Sequence, residues 1–301
     1  MCTMHALMRL FSDYTLQNVV LGTLFLGLGS GLVGSFAVLR RQSLFGDAVS
    51  HATLPGIVIA FLLTGTKSTE ILLLGAALSG LVGTVVMLMV MRTTKIDTDG
   101  AQGIVLGVFL GFGFLLLTHV QKSPQAAKAG LNKFILGQAA TILQRDVLLI
   151  IAMEVVIGLL VLLFWKELKL STFDRDFSAV QGFSPQLMEF MLTALIVVAV
   201  VVGVQAVGVI LMSALLTAPA VAARQWTNSL RVLCALAALF GGVSGVSGSV
   251  VSAQVPRLST GPVIVLVLTG IALVSIMLGP QRGVLYQLWR RRRVSLLQEE
   301  G

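Results

Sequence analysis

The chain has 301 residues, 56% of them hydrophobic and 11% charged, where an ordinary soluble domain carries about 25% charged residues. That composition excludes a soluble enzyme. It also excludes a nucleic-acid-binding module despite the net charge of +8, because much of the basic excess lies in loops and in the run Arg290–Arg293, where membrane proteins carry orientation signals.

The 31 glycines and the scarcity of aromatics fit an all-α membrane protein whose helices pack through small residues, not a barrel of alternating strands. Cys2 and Cys234 are too far apart in sequence to imply a structural disulfide, and neither has metal-site spacing. Residues 1–15 form an N-terminal segment without the features of a cleavable signal, so the first span is expected to direct insertion. Apolar stretches then run over 16–39, 44–64, 70–91, 101–120, 146–165, 186–204, 205–223, 230–252 and 261–279. The seventh is set off from the sixth by almost nothing polar and is broken by Pro219. Nine spans, or eight and a broken one, are therefore expected within a single domain of 1–301, with the bundle over 16–280 and a basic tail over 281–301.

The stretch Leu39–Gly56, LRRQSLFGDAVSHATLPG, carries the chemistry. Asp47 and His51 are four residues apart inside an apolar segment, so one helix presents both on the same face. Ionisable groups are costly inside a bilayer and mark ion or substrate paths there. A carboxylate and a neutral imidazole together suit Mn, Fe or Zn. Pro55 removes the helical partner of the His51 carbonyl, so a bend is expected there, with the freed carbonyl as a further oxygen ligand.

Farther along, GTKST at Gly65–Thr69 lacks the layout of a phosphate loop, and no such loop occurs elsewhere, so ATP hydrolysis by this chain is not expected. Rows of small residues, Gly27 with Gly31, Gly103 with Gly107 and Gly111, and Gly241 with Gly245 and Ser249, are expected to pack helices closely. His119 closes a span and reads as interfacial. Glu154, mid-span, is either a protonated group bonded to a neighbouring helix, the favoured reading, or part of an ion path. Gln205 and Gln254 are expected to form interhelical hydrogen bonds. GVSG at Gly245–Gly248 looks like the nucleophile motif of rhomboid intramembrane proteases, but no His follows Ser247, which removes that reading.

Between spans, WKELKLSTFDRDFSAVQGFSPQ over Trp165–Gln186 contains a short helix started by Asp174, Asp176 or Ser178, running through Phe177 and closed by Gly182. It is either a docking surface for a soluble partner or an ordinary amphipathic loop. Lys and Arg favour one orientation: with Arg40 and Arg41 inside, 14 of the 21 basic residues are cytoplasmic, the N-terminus lies outside and the C-terminus inside.

Several of these segments resemble the membrane permeases of zinc, manganese and iron ABC importers. The likeness rests on the Leu39–Gly56 stretch, FILGQ at Phe134–Gln138, WKELKLSTFD at Trp165–Asp174, QAVGVILMSALLTAPAVAAR at Gln205–Arg224 and LSTGPVIVLV at Leu258–Val267. It implies a type II ABC importer-like permease in a bacterial plasma membrane, with Asp47 and His51 lining the path and binding the transported metal. Manganese is favoured, and zinc or iron is not separated from it. It further implies Phe173, Asp174, Phe177 and Gly182 as the coupling segment to cytoplasmic ABC ATPase subunits, a second permease subunit, identical or homologous, and an external metal-binding protein. No permanently bound cofactor is expected. The alternative is a gradient-driven metal carrier that needs no ATPase.

Overall fold

The computed structural model describes residues 14–65, 68–121, 142–255 and 258–286. These residues form eleven principal helices: α1 (Tyr14–Leu39), α2 (Phe45–Thr64), α3 (Thr69–Thr93), α4 (Thr98–Gln121), α5 (Gln144–Leu163), α6 (Trp165–Phe173), α7 (Arg175–Val180), α8 (Pro185–Val207), α9 (Val209–Arg224), α10 (Leu230–Gln254) and α11 (Thr260–Leu278). Eight of them are long and apolar enough to cross a bilayer. The seventh candidate stretch is the exception. Its helix, α9, has 16 residues, about 24 Å at the usual rise, which falls short of a hydrocarbon core of about 30 Å.

Gly208 makes that break. Its φ of 87° and ψ of 165° lie in a region that essentially only glycine adopts, so α8 ends and α9 starts in a new direction. Farther on, α9 runs beside α1: the Ser30 hydroxyl points at the Met212 sulfur at 3.9 Å, and Gly34 lies under the Leu216 carbonyl with no room for a Cβ.

The centre of the bundle is α1, buried along most of its length. Its tightest partner is α10, where Gly27 meets the Gly241 backbone and Gly31 meets the Ala237 carbonyl. One turn away, the Thr23 hydroxyl reaches both the Gly245 carbonyl, at 3.2 Å, and Ser249 Oγ, at 2.9 Å. Those small-residue rows pack as expected. The third does not: among the described residues, nothing within 4 Å would meet a Cβ at Gly103, Gly107 or Gly111. The described residues that pack on α4, from α2 and α3, occupy its other side, through Gly113 on Pro55 and Phe109 near Gly83.

Glu154 departs from its favoured reading. It is 5% exposed, and neither carboxyl oxygen has a hydrogen-bond partner among the described residues. The side chain instead fills the notch left by Gly29 of α1. Apolar neighbours on α5, Ile150 and Ile157, are buried with it. His119 is exposed at the end of α4. Ser247 spends its hydroxyl on the Val243 carbonyl of its own helix, at 2.6 Å.

Candidate functional site

Local sequence starts α2 abruptly. The chain leaves α1 through a turn in which Gln42 N–H donates to the Ala37 carbonyl at 2.9 Å and Phe45 N–H to the Gln42 carbonyl at 3.2 Å. Phe45 is buried and anchors the new helix. Asp47 therefore falls in the first turn of α2, where the positive end of the helix dipole favours a carboxylate. One turn later stands His51. The helix continues through Pro55 to Thr64 without interruption, so the proline leaves Asp47 and His51 on one continuous helical face.

The pair converges: His51 Nε2 lies 3.4 Å from Asp47 Oδ1, with side chains 17% and 32% exposed. Two atoms 3.4 Å apart, each about 2.1 Å from one ion, would subtend an angle near 110°, within the range of tetrahedral coordination. The other ring nitrogen, Nδ1, is buried with no hydrogen-bond partner among the described residues, and so is the neighbouring Ser50 hydroxyl. No group of three or more His, Cys, Asp or Glu side chains able to hold a metal occurs among the described residues. The described residues thus bring together two candidate ligands, half or less of what a first-row divalent ion takes.

A third side chain comes from the broken helix. The Ser213 hydroxyl hydrogen-bonds the Asp47 carboxylate, and Leu216, less than a turn farther along α9, packs against Gly46. Nothing in the local sequence pattern assigns Ser213 a role. The available signal was the glycine and proline, Gly208 and Pro219, on either side of it, since interrupted helices line ion sites in membranes.

The second set of expected residues gathers at one end of the bundle, on α6, α7 and the turn before α8. Asp174 caps α7, its Oδ1 accepting from Phe177 N–H at 2.9 Å. Gly182 closes the segment at φ 83°, and Ser184 Oγ accepts from Leu187 N–H at 3.3 Å to start α8. Between these caps, Phe177 and Val180 are exposed, Val180 at 84%. Phe173 lines a cavity of about 460 Å³ with Lys169, Asn228, Ser229, Leu230 and Arg231.

This end is fastened to α1 by Arg40, which donates from Nε to Thr172 Oγ1 at 3.3 Å and from Nη2 to Ser171 Oγ at 2.9 Å. Burial lowers the Arg40 pKa from the ordinary guanidinium range, the Glu189 carboxylate opposes that fall and Arg175 adds to it. Arg175 and Glu189 are themselves paired at 3.1 Å. FILGQ at Phe134–Gln138 lies outside the described residues.

Comparison with known proteins follows the same outline. The model of the ABC 3 transport family matches residues 12–279. The manganese transport system membrane protein MntC of Bacillus subtilis is 45% identical over 93% of this chain, which spans only 65% of that protein's length. The manganese import system permease protein ScaB of Streptococcus gordonii is 29% identical over 89% of this chain and 92% of its own. Among solved structures, PsaBC from Streptococcus pneumoniae, in complex with Fab, matches with a TM-score of 0.81 and 28% identity over 93% of this chain and 97% of that one.

Proposed function

The chain belongs to the ABC 3 transport family, and on that premise we propose that it is the membrane permease of an ATP-driven importer of divalent metal, manganese in the first place. The observation that carries the reading is the convergence of Asp47 and His51 on one face of α2, in a chain whose relatives are named for manganese transport. Hard carboxylate oxygen and borderline imidazole nitrogen accept Mn and also accept Zn or Fe. The preference for manganese thus rests on the relatives' names and not on the ligand set.

In this reading Asp47 and His51 bind the metal as it passes, and Ser213 holds the carboxylate towards it from α9. Two ligands leave most of the coordination sphere open, so a second permease subunit, identical or homologous, contributes a matching pair. An external binding protein delivers the metal. Cytoplasmic ABC ATPases dock on Phe173, Asp174, Phe177 and the turn at Gly182, and nucleotide-driven movement there reaches α1 through Arg40. The N-terminus lies outside and the C-terminus inside a bacterial plasma membrane, following the distribution of Lys and Arg, with the short α9 returning the chain to the side on which α8 began.

Reconstitution tests this directly. Proteoliposomes holding the chain with its ATPase and loaded binding protein should accumulate radioactive Mn only when ATP is supplied to the ATPase side. Uptake by the chain alone, driven by an imposed ion gradient, would replace the importer with a secondary carrier.

A further inference from the structure

The cavity beside Phe173 lies between α6 and the start of α10, and each of these helices puts one cation into its wall. Lys169 comes from α6 and Arg231 from α10, with Asn228, Ser229 and Leu230 completing the lining. Both cations are exposed. Neither takes part in an ion pair among the described residues, whose three such pairs are His51–Asp47, Arg145–Glu70 and Arg175–Glu189. Two like charges facing one hollow favour an anionic occupant, and Phe173 and Leu230 favour one that also carries apolar side chains.

The chain leaving α11 is fastened to the rim of this cavity. Gln281 N–H donates to the Gln225 carbonyl at 3.1 Å, and Gln281 Oε1 accepts from Nδ2 of the lining residue Asn228 at 3.0 Å. Beyond Tyr286, the last residue described, the sequence runs QLWRRRRVSLLQEE to Glu300. Its charge is divided. Arg290–Arg293 are repelled by Lys169 and Arg231, whereas the stretch after them matches the cavity with two acids, Glu299 and Glu300, and two leucines, Leu296 and Leu297. Glu299 is 13 positions beyond Tyr286, enough chain to span about 20 Å at a helix's rise and about 40 Å fully extended. A tether of that length starting from the rim reaches the cavity.

We propose that residues 294–300 of this chain dock in the cavity, with Glu299 and Glu300 against Lys169 and Arg231 and the two leucines against Phe173 and Leu230. Docked there, the segment covers Phe173. On the reading of Phe173 as part of the ATPase docking surface, the ATPase has to displace this segment before it couples, so the contact is autoinhibitory.

Cysteine cross-linking of the purified full chain tests the contact without altering any of the four charges. Gln298→Cys with Ser229→Cys, in a chain carrying Cys2→Ser and Cys234→Ala, should form a disulfide within one chain on oxidation with copper phenanthroline. Adding Glu299→Gln and Glu300→Gln should slow its formation about fivefold. Lys169→Glu with Arg231→Glu should slow it as much, and combining that pair with Glu299→Lys and Glu300→Lys should restore the rate. A rate indifferent to these charges, or a disulfide that joins only separate chains, would overturn the proposal. Suppression of the disulfide when phosphatidylglycerol is added would give the cavity to a lipid headgroup instead. The regulatory consequence has its own readout: deleting residues 294–301 should raise the affinity of the chain for its ATPase about fivefold. An unchanged affinity, with the charge-dependent disulfide intact, would leave the segment docked and remove Phe173 from the coupling surface.

Discussion

In the proposed function, Asp47, His51 and Ser213 divide the work of one site between a helix that begins there and a helix that is broken nearby. Asp47→Ala or His51→Ala removes half of what one chain offers to a metal, so uptake should fall to background while the ATPase still co-purifies. Full uptake in either variant would move the path elsewhere. Ser213→Ala has a smaller and more informative effect. It keeps both ligands and deletes one hydrogen bond to a carboxylate, a loss that should raise the half-saturating Mn concentration for uptake about tenfold. An unchanged value would leave Ser213 as packing only. The convergence of Asp47 and His51 was legible in the sequence because four-residue spacing on a helix is a local rule. Ser213 was not, because its partner lies 166 positions away in the chain and only the folded path of α9 brings the two together.

At the scale of elements, glycine has two opposite meanings here, and the sequence does not tell them apart. Gly27 and Gly107 both sit in rows of small residues at four-residue intervals. Gly27 touches the Gly241 backbone, whereas Gly107 faces nothing within 4 Å among the described residues. A methyl group on Gly27 must push two helix backbones apart, so Gly27→Ala should destabilise the purified chain by about 1–3 kcal/mol. Gly107→Ala should be neutral, or stabilising by up to about 1 kcal/mol from helix propensity alone. Thermal unfolding in detergent measures both, and equal losses would show that a partner covers α4. The long helices themselves were legible to within a few residues, since an uninterrupted apolar run has few other outcomes in a bilayer. Hidden from periodicity was the burial of Glu154 without a partner, because a notch opposite a carboxyl depends on Gly29 of another helix.

For the whole molecule, the proposed function asks how chemistry on another subunit would reach a metal path inside this one. The α6–α7 segment sits at one end of the bundle, and its connection to the interior runs through Arg40 to α1, whose far side holds α9 and, through it, Asp47. Contact with a soluble partner has to be made by what the segment exposes, and Phe177 is an exposed aromatic in the middle of a helix fixed at both ends by Asp174 and Gly182. Phe177→Ala removes a large apolar surface without touching either cap, so the fold of the segment should survive. The expected outcome is therefore uncoupling and not collapse. ATP hydrolysis by the reconstituted complex continues, while Mn transported per ATP hydrolysed falls about tenfold, the loss expected when a buried aromatic contact of about 1.5 kcal/mol or more is deleted. Asp174→Ala should weaken coupling as well, by fraying the helix, and Asp174→Asn should restore most of it, because asparagine caps nearly as well. Normal coupling in Phe177→Ala would return the segment to an ordinary amphipathic loop and leave the route through Arg40 without a starting point.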